Sequence, residues 1–231
     1  MKILITDQVE ERCREILQAE GFEVEFRPGI TPDEIKKALA TATALIVRSQ
    51  TKVSADILEA GTSLKVVGRA GAGVDNIDVD AATRRGVIVM NTPGGNTIST
   101  AEHTISMMMA LARNIPQAHQ SLRDGKWERK KFTGTELHGK TLGIVGLGKV
   151  GAEVAKRCLA FEMIVIAYDP LLSSEASGKL GVELVELSEI FRRSDFLTIH
   201  SPLTAETRHL IDERILAQCK PGVRIINCAR G

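Results

Sequence analysis

Short apolar runs alternate along this chain with longer stretches whose apolar residues recur every three or four positions. The runs at 3–5, 22–26, 44–47, 65–67 and 87–90 are too short for helices and too continuous for half-exposed strands. They predict buried parallel strands. Between them, Val9, Cys13, Ile16 and Leu17 mark one face of a helix stopped by Gly21. Thr31-Pro32-Asp33-Glu34 opens the next helix, with Thr31 as N-cap and Glu34 three residues on. The punctuation changes at Asn91-Thr92-Pro93-Gly94-Gly95-Asn96-Thr97, a hinge or linker. Ser99-Thr100-Ala101-Glu102 then reads as a capping box opening a long helix through Met108 and Ala112, followed by a second helix over 115–122. A second strand–helix series starts at Thr141, with later strands at 164–168, 196–199 and 223–226. The pattern predicts two α/β lobes, 1–91 and 92–231, flanking a cleft where small ligands meet.

Composition narrows the function more by exclusion. Lys+Arg 30 against Asp+Glu 29 leaves a net charge of +1. Binding to nucleic acid or a membrane surface would rest on a large basic excess. With 3% aromatic residues there is also no base-stacking platform. Cys13, Cys158, Cys219 and Cys228 show neither C-x-x-C pairing nor metal-ligand spacing, which fits reduced thiols. No metal motif is present in the sequence. The N-terminus lacks a signal-peptide core and no apolar stretch approaches a membrane span, so a cytoplasmic protein is expected.

The most specific local signal is Gly146-Leu147-Gly148-Lys149-Val150-Gly151, after the apolar run 141–145 and before a helix. A lone G-x-G-x-x-G means little. A strand before it, a helix after it and an acid, Asp169, ending the next strand make it a dinucleotide fingerprint. Gly146 permits the tight turn, Gly148 the approach of a pyrophosphate, and Gly151 close helix packing. The helix's first N–H groups face the anion. Asp169 is placed to accept from ribose hydroxyls, which points to NAD rather than NADP. The plainer alternative is a generic glycine turn.

Hydride transfer needs a group that polarises the reacting oxygen, and a polar substrate needs cations to hold it. Arg230 stands just past the last strand, and Arg48 and Arg69 just past two earlier ones. Arginine is suited to forking onto carboxylate or phosphate; surface salt bridges are the plainer reading. The basic stretch Trp127 to Phe132 reads as a solvated loop or an oligomer contact. His200, at a strand end, fits a structural or cofactor-lining role better than that of a base. The chain stops just past a buried-type strand, which suggests truncation.

At these residues the chain resembles the D-2-hydroxyacid dehydrogenases, most closely their phosphoglycerate-oxidising branch. The carrying segments are Ile46-Val47-Arg48-Ser49, 66–76, Val89-Met90-Asn91-Thr92-Pro93, 124–132, the fingerprint, and Asn227-Cys228-Ala229-Arg230-Gly231. The resemblance implies an α/β fold of two doubly wound parallel-sheet lobes. One is a flavodoxin-like substrate domain and the other a Rossmann NAD-binding domain, incomplete here. It implies NAD-dependent oxidation of 3-phosphoglycerate at the entry to serine synthesis, by a homo-oligomeric dimer or tetramer. It gives Arg230 the catalytic role. Gly146, Gly148, Lys149, Val150, Gly151, Asp169, Ala72, Ser201, Cys228, Ala229 and Arg230 become cofactor residues. Arg48, Arg69, Gly71 and Asn96 face the substrate's carboxylate and phosphate. Ala72 replaces a threonine often found there. The family's glutamate and acid/base histidine would lie beyond Gly231, so the chain alone is expected to be inactive. An NADH-responsive corepressor-like module of the same fold is the competing class.

Overall fold

The computed structural model describes residues 1–230. The chain divides into two compact units, Met1–Asn96 and the remainder from Thr97 onward.

The first unit alternates strand and helix: β1 (Lys2–Ile5), α1 (Glu11–Ala19), β2 (Glu23–Phe26), α2 (Pro32–Leu39), β3 (Ala44–Val47), α3 (Ala55–Ala60), β4 (Val66–Arg69), α4 (Val79–Arg84) and β5 (Ile88–Asn91). Its strands are all parallel, in the order β2-β1-β3-β4-β5. That is the flavodoxin-like doubly wound order. Successive strand residues point to opposite faces. Leu4 accordingly joins a core with Leu45, Val47 and Val67, while Ile3 and Ile5 pack on the other face with Val9 and Ala44. The capping box on α2 forms as expected. Glu34 N donates to Thr31 Oγ1, and Thr31 N donates back to Glu34 Oε2 at 2.9 Å.

The second unit begins with α5 (Thr97–Ala112) and α6 (Ile115–Arg123), then a 3-10 turn over Arg129–Phe132. Here the sequence reading is corrected. Helix α5 starts at Thr97, so Ser99 sits inside its first turn rather than capping it. Met108 is fully buried in the core and Met107 is exposed. After these come β6 (Thr141–Val145), α7 (Lys149–Ala160), β7 (Ile164–Tyr168), α8 (Ser174–Gly178), β8 (Glu183–Leu184), α9 (Leu187–Arg193), β9 (Phe196–Ile199), α10 (Glu213–Leu216) and β10 (Arg224–Asn227).

This sheet is also wholly parallel, in the order β10-β9-β6-β7-β8. Numbered from β6 and read from β8 across to β10, that is 3-2-1-4-5, the Rossmann order, with its reversal between β6 and β9. Leu142 and Ile144 fill the core on one face with Val154, Ala155 and Cys158 from α7. Val145, Ile166 and Leu197 face Ile190 and Phe191 on the other. Burial pushes the Cys158 thiol up to about 12, so it serves as an inert core residue.

Candidate functional site

In the second unit the sequence-flagged residues converge on one edge. Strand β6 ends at Val145 and runs into Gly146, β7 ends beside Asp169, β9 beside His200 and Ser201, and β10 beside Cys228, Ala229 and Arg230. Because all four strands are parallel, these are carboxyl ends of one sheet, on both sides of its topological reversal. Ligands of open α/β sheets bind at such a place.

The glycine turn shows why its residue types are needed. Gly146 takes φ +92°, a left-handed conformation that penalises side chains, and its N–H donates to Tyr168 O at 2.9 Å. A Cβ there would also stand 2.9 Å from Ser201 N. At Gly151 a Cβ would overlap the carbonyl oxygen of Gly146, so only glycine lets α7 seat this close to the turn. Gly148 differs. It is the N-cap of α7, at an ordinary φ of −69°, and a Cβ built on it meets nothing within 4 Å. The space in front of the helix is therefore open at Gly148, and no side chain caps the helix. Lys149 and Val150 form its first turn. Their N–H groups have no partner available within the helix, and its positive end suits an anion. The turn fits a pyrophosphate.

Asp169 is part of the same construction. Its Oδ2 accepts from Leu147 N at 2.8 Å and its Oδ1 from Leu171 N at 2.9 Å. The carboxylate is thus tied to the middle of the glycine turn, and each oxygen keeps lone-pair capacity for a further donor such as a ribose hydroxyl.

His200 forms a wall of the turn. Its N–H donates to Val145 O at 2.8 Å, and its ring Nε2 lies 3.0 Å from Thr198 Oγ1. Burial pushes its pKa down to about 4, so the ring is neutral near pH 7. Its ring partner is a hydroxyl rather than an orienting carboxylate.

Beyond β10 the chain folds back on itself. Ala229 N donates to Asn227 Oδ1 at 3.0 Å, and Asn227 Nδ2 donates to Arg230 O at 2.5 Å. Arg230 is exposed, with Nη1 donating to Ala229 O at 2.9 Å. A hollow of about 300 Å³ opens between the ends of β9 and β10, with Ser201, Thr207, Asn227 and Arg230 in its lining. Cys228 is half-buried against the core.

The remaining candidates belong to the first unit, again at carboxyl ends. Val47 and Arg69 are register partners on neighbouring strands β3 and β4, and Arg48 follows Val47 directly. Arg69 is thus the last residue of β4 rather than one just past it. Its guanidinium lies over Gly71, where a Cβ would collide with Nη1, and its Nε is buried without a hydrogen-bond partner. Arg48 Nη1 donates to Gln8 O at 3.3 Å. Gly71 O accepts from Thr92 N at 3.0 Å and Ala72 O from Asn91 Nδ2 at 2.6 Å, tying 71–72 to the end of β5. Asn96 is exposed, at the last position of the unit. Sequence reasoning missed two residues here, Asp7 and Asn76, whose side chains hold the turn after β3. An acid just past the first strand was the available signal for Asp7. For Asn76 it was the Val74-Asp75-Asn76 segment.

Residues 105–231 match the family described as D-isomer specific 2-hydroxyacid dehydrogenase, NAD binding domain. Among similar proteins, D-3-phosphoglycerate dehydrogenase of Homo sapiens is 54% identical over 230 residues, covering 100% of this chain and 43% of the relative. The Archaeoglobus fulgidus protein of the same name is 51% identical over 231 residues, covering 100% and 44%. The chain thus spans less than half the length of these relatives. Among solved structures, apo D-lactate dehydrogenase from Escherichia coli superposes with a TM-score of 0.85 at 34% identity, covering 100% of this chain and 74% of that one. D-lactate dehydrogenase from Aquifex aeolicus, complexed with NAD and lactic acid, gives 0.87 at 28% identity, covering 99% and 69%.

Proposed function

The chain belongs to the D-isomer-specific 2-hydroxyacid dehydrogenase family, and on that premise we propose that its parent protein oxidises 3-phosphoglycerate to 3-phosphohydroxypyruvate with NAD. This would be the first step of L-serine synthesis, in a cytoplasmic homo-oligomer. The first unit supplies the substrate-binding residues and the second the NAD-binding ones.

The observation that carries the substrate reading is the placement of Arg48 and Arg69 at the carboxyl ends of adjacent strands. Arginines ending two adjacent strands suit a small substrate bearing both a carboxylate and a phosphate. Gly71, by having no side chain, leaves room for the Arg69 guanidinium, and Asn96 adds a neutral donor. The names of the 49–54% identical relatives support the same reading.

In the second unit, the N–H groups at Lys149 and Val150 bind the pyrophosphate across the open space at Gly148. Asp169, held by Leu147 N, orients the adenosine ribose. Ser201, Cys228 and Ala229 line the cofactor. Bound NAD supplies the hydride acceptor for C2. Arg230 polarises the C2 oxygen and holds the adjoining carboxylate, stabilising charge as it develops there. Neutral, Thr198-bonded His200 is poorly placed to take the C2 hydroxyl proton.

The test is steady-state kinetics on full-length protein carrying Arg48→Ala or Arg69→Ala. A lost charge-assisted hydrogen bond is worth roughly 1.5–3 kcal/mol, so KM for 3-phosphoglycerate should rise about tenfold or more while KM for NAD holds. Unchanged KM in both variants would return these arginines to surface salt bridging.

A further inference from the structure

Two residues past β1, Asp7 is 1% exposed, and no ion pair reaches it among the described residues. Its carboxylate is satisfied by the turn that follows β3. Oδ2 accepts from Arg48 N at 2.6 Å, from Gln50 N at 3.2 Å and from Thr51 N at 3.2 Å. Oδ1 accepts from Thr51 Oγ1 at 2.5 Å and from Thr51 N at 3.1 Å. Thr6 Oγ1 closes the cluster, 2.9 Å from Thr51 Oγ1. From the other side, Asn76 Nδ2 donates to Arg48 O and to Thr51 O, both at 2.7 Å. Asp7 therefore collects the N–H groups of the 48–51 turn and Asn76 its carbonyls.

A buried carboxylate with no paired cation is costly unless backbone donors satisfy it. Three amides and a hydroxyl converging on two oxygens leave the turn one conformation. The backbone N–H nearest to Asp7 belongs to Arg48 itself, and the Arg48 guanidinium donates to Gln8 O, the residue after Asp7. Both ends of Arg48 are thus referred to the same short segment.

We propose that Asp7 is a positioning residue that fixes the 48–51 turn so that Arg48 meets the substrate's anionic group, setting substrate affinity without touching substrate. The proposal rests on the reading of Arg48 as a substrate residue. In Asp7→Asn an amide nitrogen replaces one acceptor, and its hydrogens face N–H groups that still need one.

The experiment is a double-mutant cycle in the full-length protein with 3-phosphoglycerate and NAD as the varied substrates. Asp7→Asn should raise KM for 3-phosphoglycerate about tenfold, with kcat and KM for NAD within about twofold of the parent, the signature of lost binding rather than lost chemistry. Added to Arg48→Ala, the same change should raise KM by less than about twofold, because it acts through the arginine already removed. If Arg48→Ala raises KM but Asp7→Asn does not, the proposal is overturned. It is overturned equally if Asp7→Asn raises KM by the same factor in both backgrounds, or if it lowers kcat and NAD affinity alongside. If Arg48→Ala itself leaves KM unchanged, the substrate reading fails first, and the two failures are told apart. Should Asp7→Asn not fold, Thr51→Val removes one donor while keeping shape. A KM rise of about threefold that vanishes in the Arg48→Ala background supports the proposal, and an unchanged KM overturns it.

Discussion

Alanine at each of the three turn glycines should separate folding from cofactor binding, because the surroundings of the three differ. At Gly146 the added Cβ is forced into φ +92° and to 2.9 Å from Ser201 N. The left-handed conformation costs about 1–2 kcal/mol, and a backbone contact that must shift adds about another 1 kcal/mol. At Gly151 the Cβ overlaps Gly146 O, and relief requires α7 to move off the sheet, an overpacking cost of about 1–3 kcal/mol. At Gly148 neither penalty applies. Reduced freedom of the unfolded chain favours alanine by about 0.4–1 kcal/mol, while loss of a glycine N-cap costs a similar amount, leaving stability within about 0.5 kcal/mol. Thermal unfolding should therefore drop by about 5–10 °C for Gly146→Ala and Gly151→Ala and stay within about 2 °C for Gly148→Ala. NAD affinity, followed by fluorescence or calorimetric titration, should invert that ranking for Gly148. Its methyl group occupies the approach of the pyrophosphate and should weaken binding at least tenfold, about 1.4 kcal/mol. If Gly148→Ala binds NAD as tightly as the parent, the open space before α7 is not the pyrophosphate site and the reasoning fails.

Two further outcomes follow from the same edge of the sheet. A 2′-phosphate beside Asp169 would meet like-charge repulsion of about 1 kcal/mol in water and about 4 kcal/mol at intermediate dielectric. NAD should thus bind at least tenfold tighter than NADP, with Asp169→Ala narrowing the gap; equal dissociation constants in the unmutated protein would contradict this. Burial lowers the His200 pKa to about 4, so between that value and the ordinary one near 6.5 the unfolded chain takes up a proton that the folded chain refuses. Its contribution is complete above about pH 6.5 and is lost as pH falls towards 4, by about 2–3 kcal/mol. Urea unfolding of His200→Gln should show a correspondingly flatter pH dependence than the parent, and superimposable profiles would count against a buried neutral ring.

Both sheets were legible because their strands are short apolar runs set between helical periods, and a parallel sheet covered on both faces leaves that signature. The glycine turn was legible for a similar reason, since each glycine answers a local backbone demand. Strand β8 went unread. It is only Glu183–Leu184, half-exposed at a sheet edge, and two residues carry no period. The start of α5 was misplaced because Ser99 and Glu102 spell a capping box wherever they fall, and only the backbone decides which residue caps. Asp7 was passed over because its partners, Arg48 to Thr51, are brought to it by the β1–β3 pairing, a long-range contact that no local pattern announces.

NADH formation by the full-length protein, with 3-phosphoglycerate and D-lactate compared at equal concentration, decides the substrate. 3-Phosphoglycerate should reduce NAD with kcat/KM at least about 100-fold above that for D-lactate, a preference that two strand-end arginines recognising a phosphate can supply at about 2.7 kcal/mol. Equal use of D-lactate, or no NADH from 3-phosphoglycerate, would contradict it.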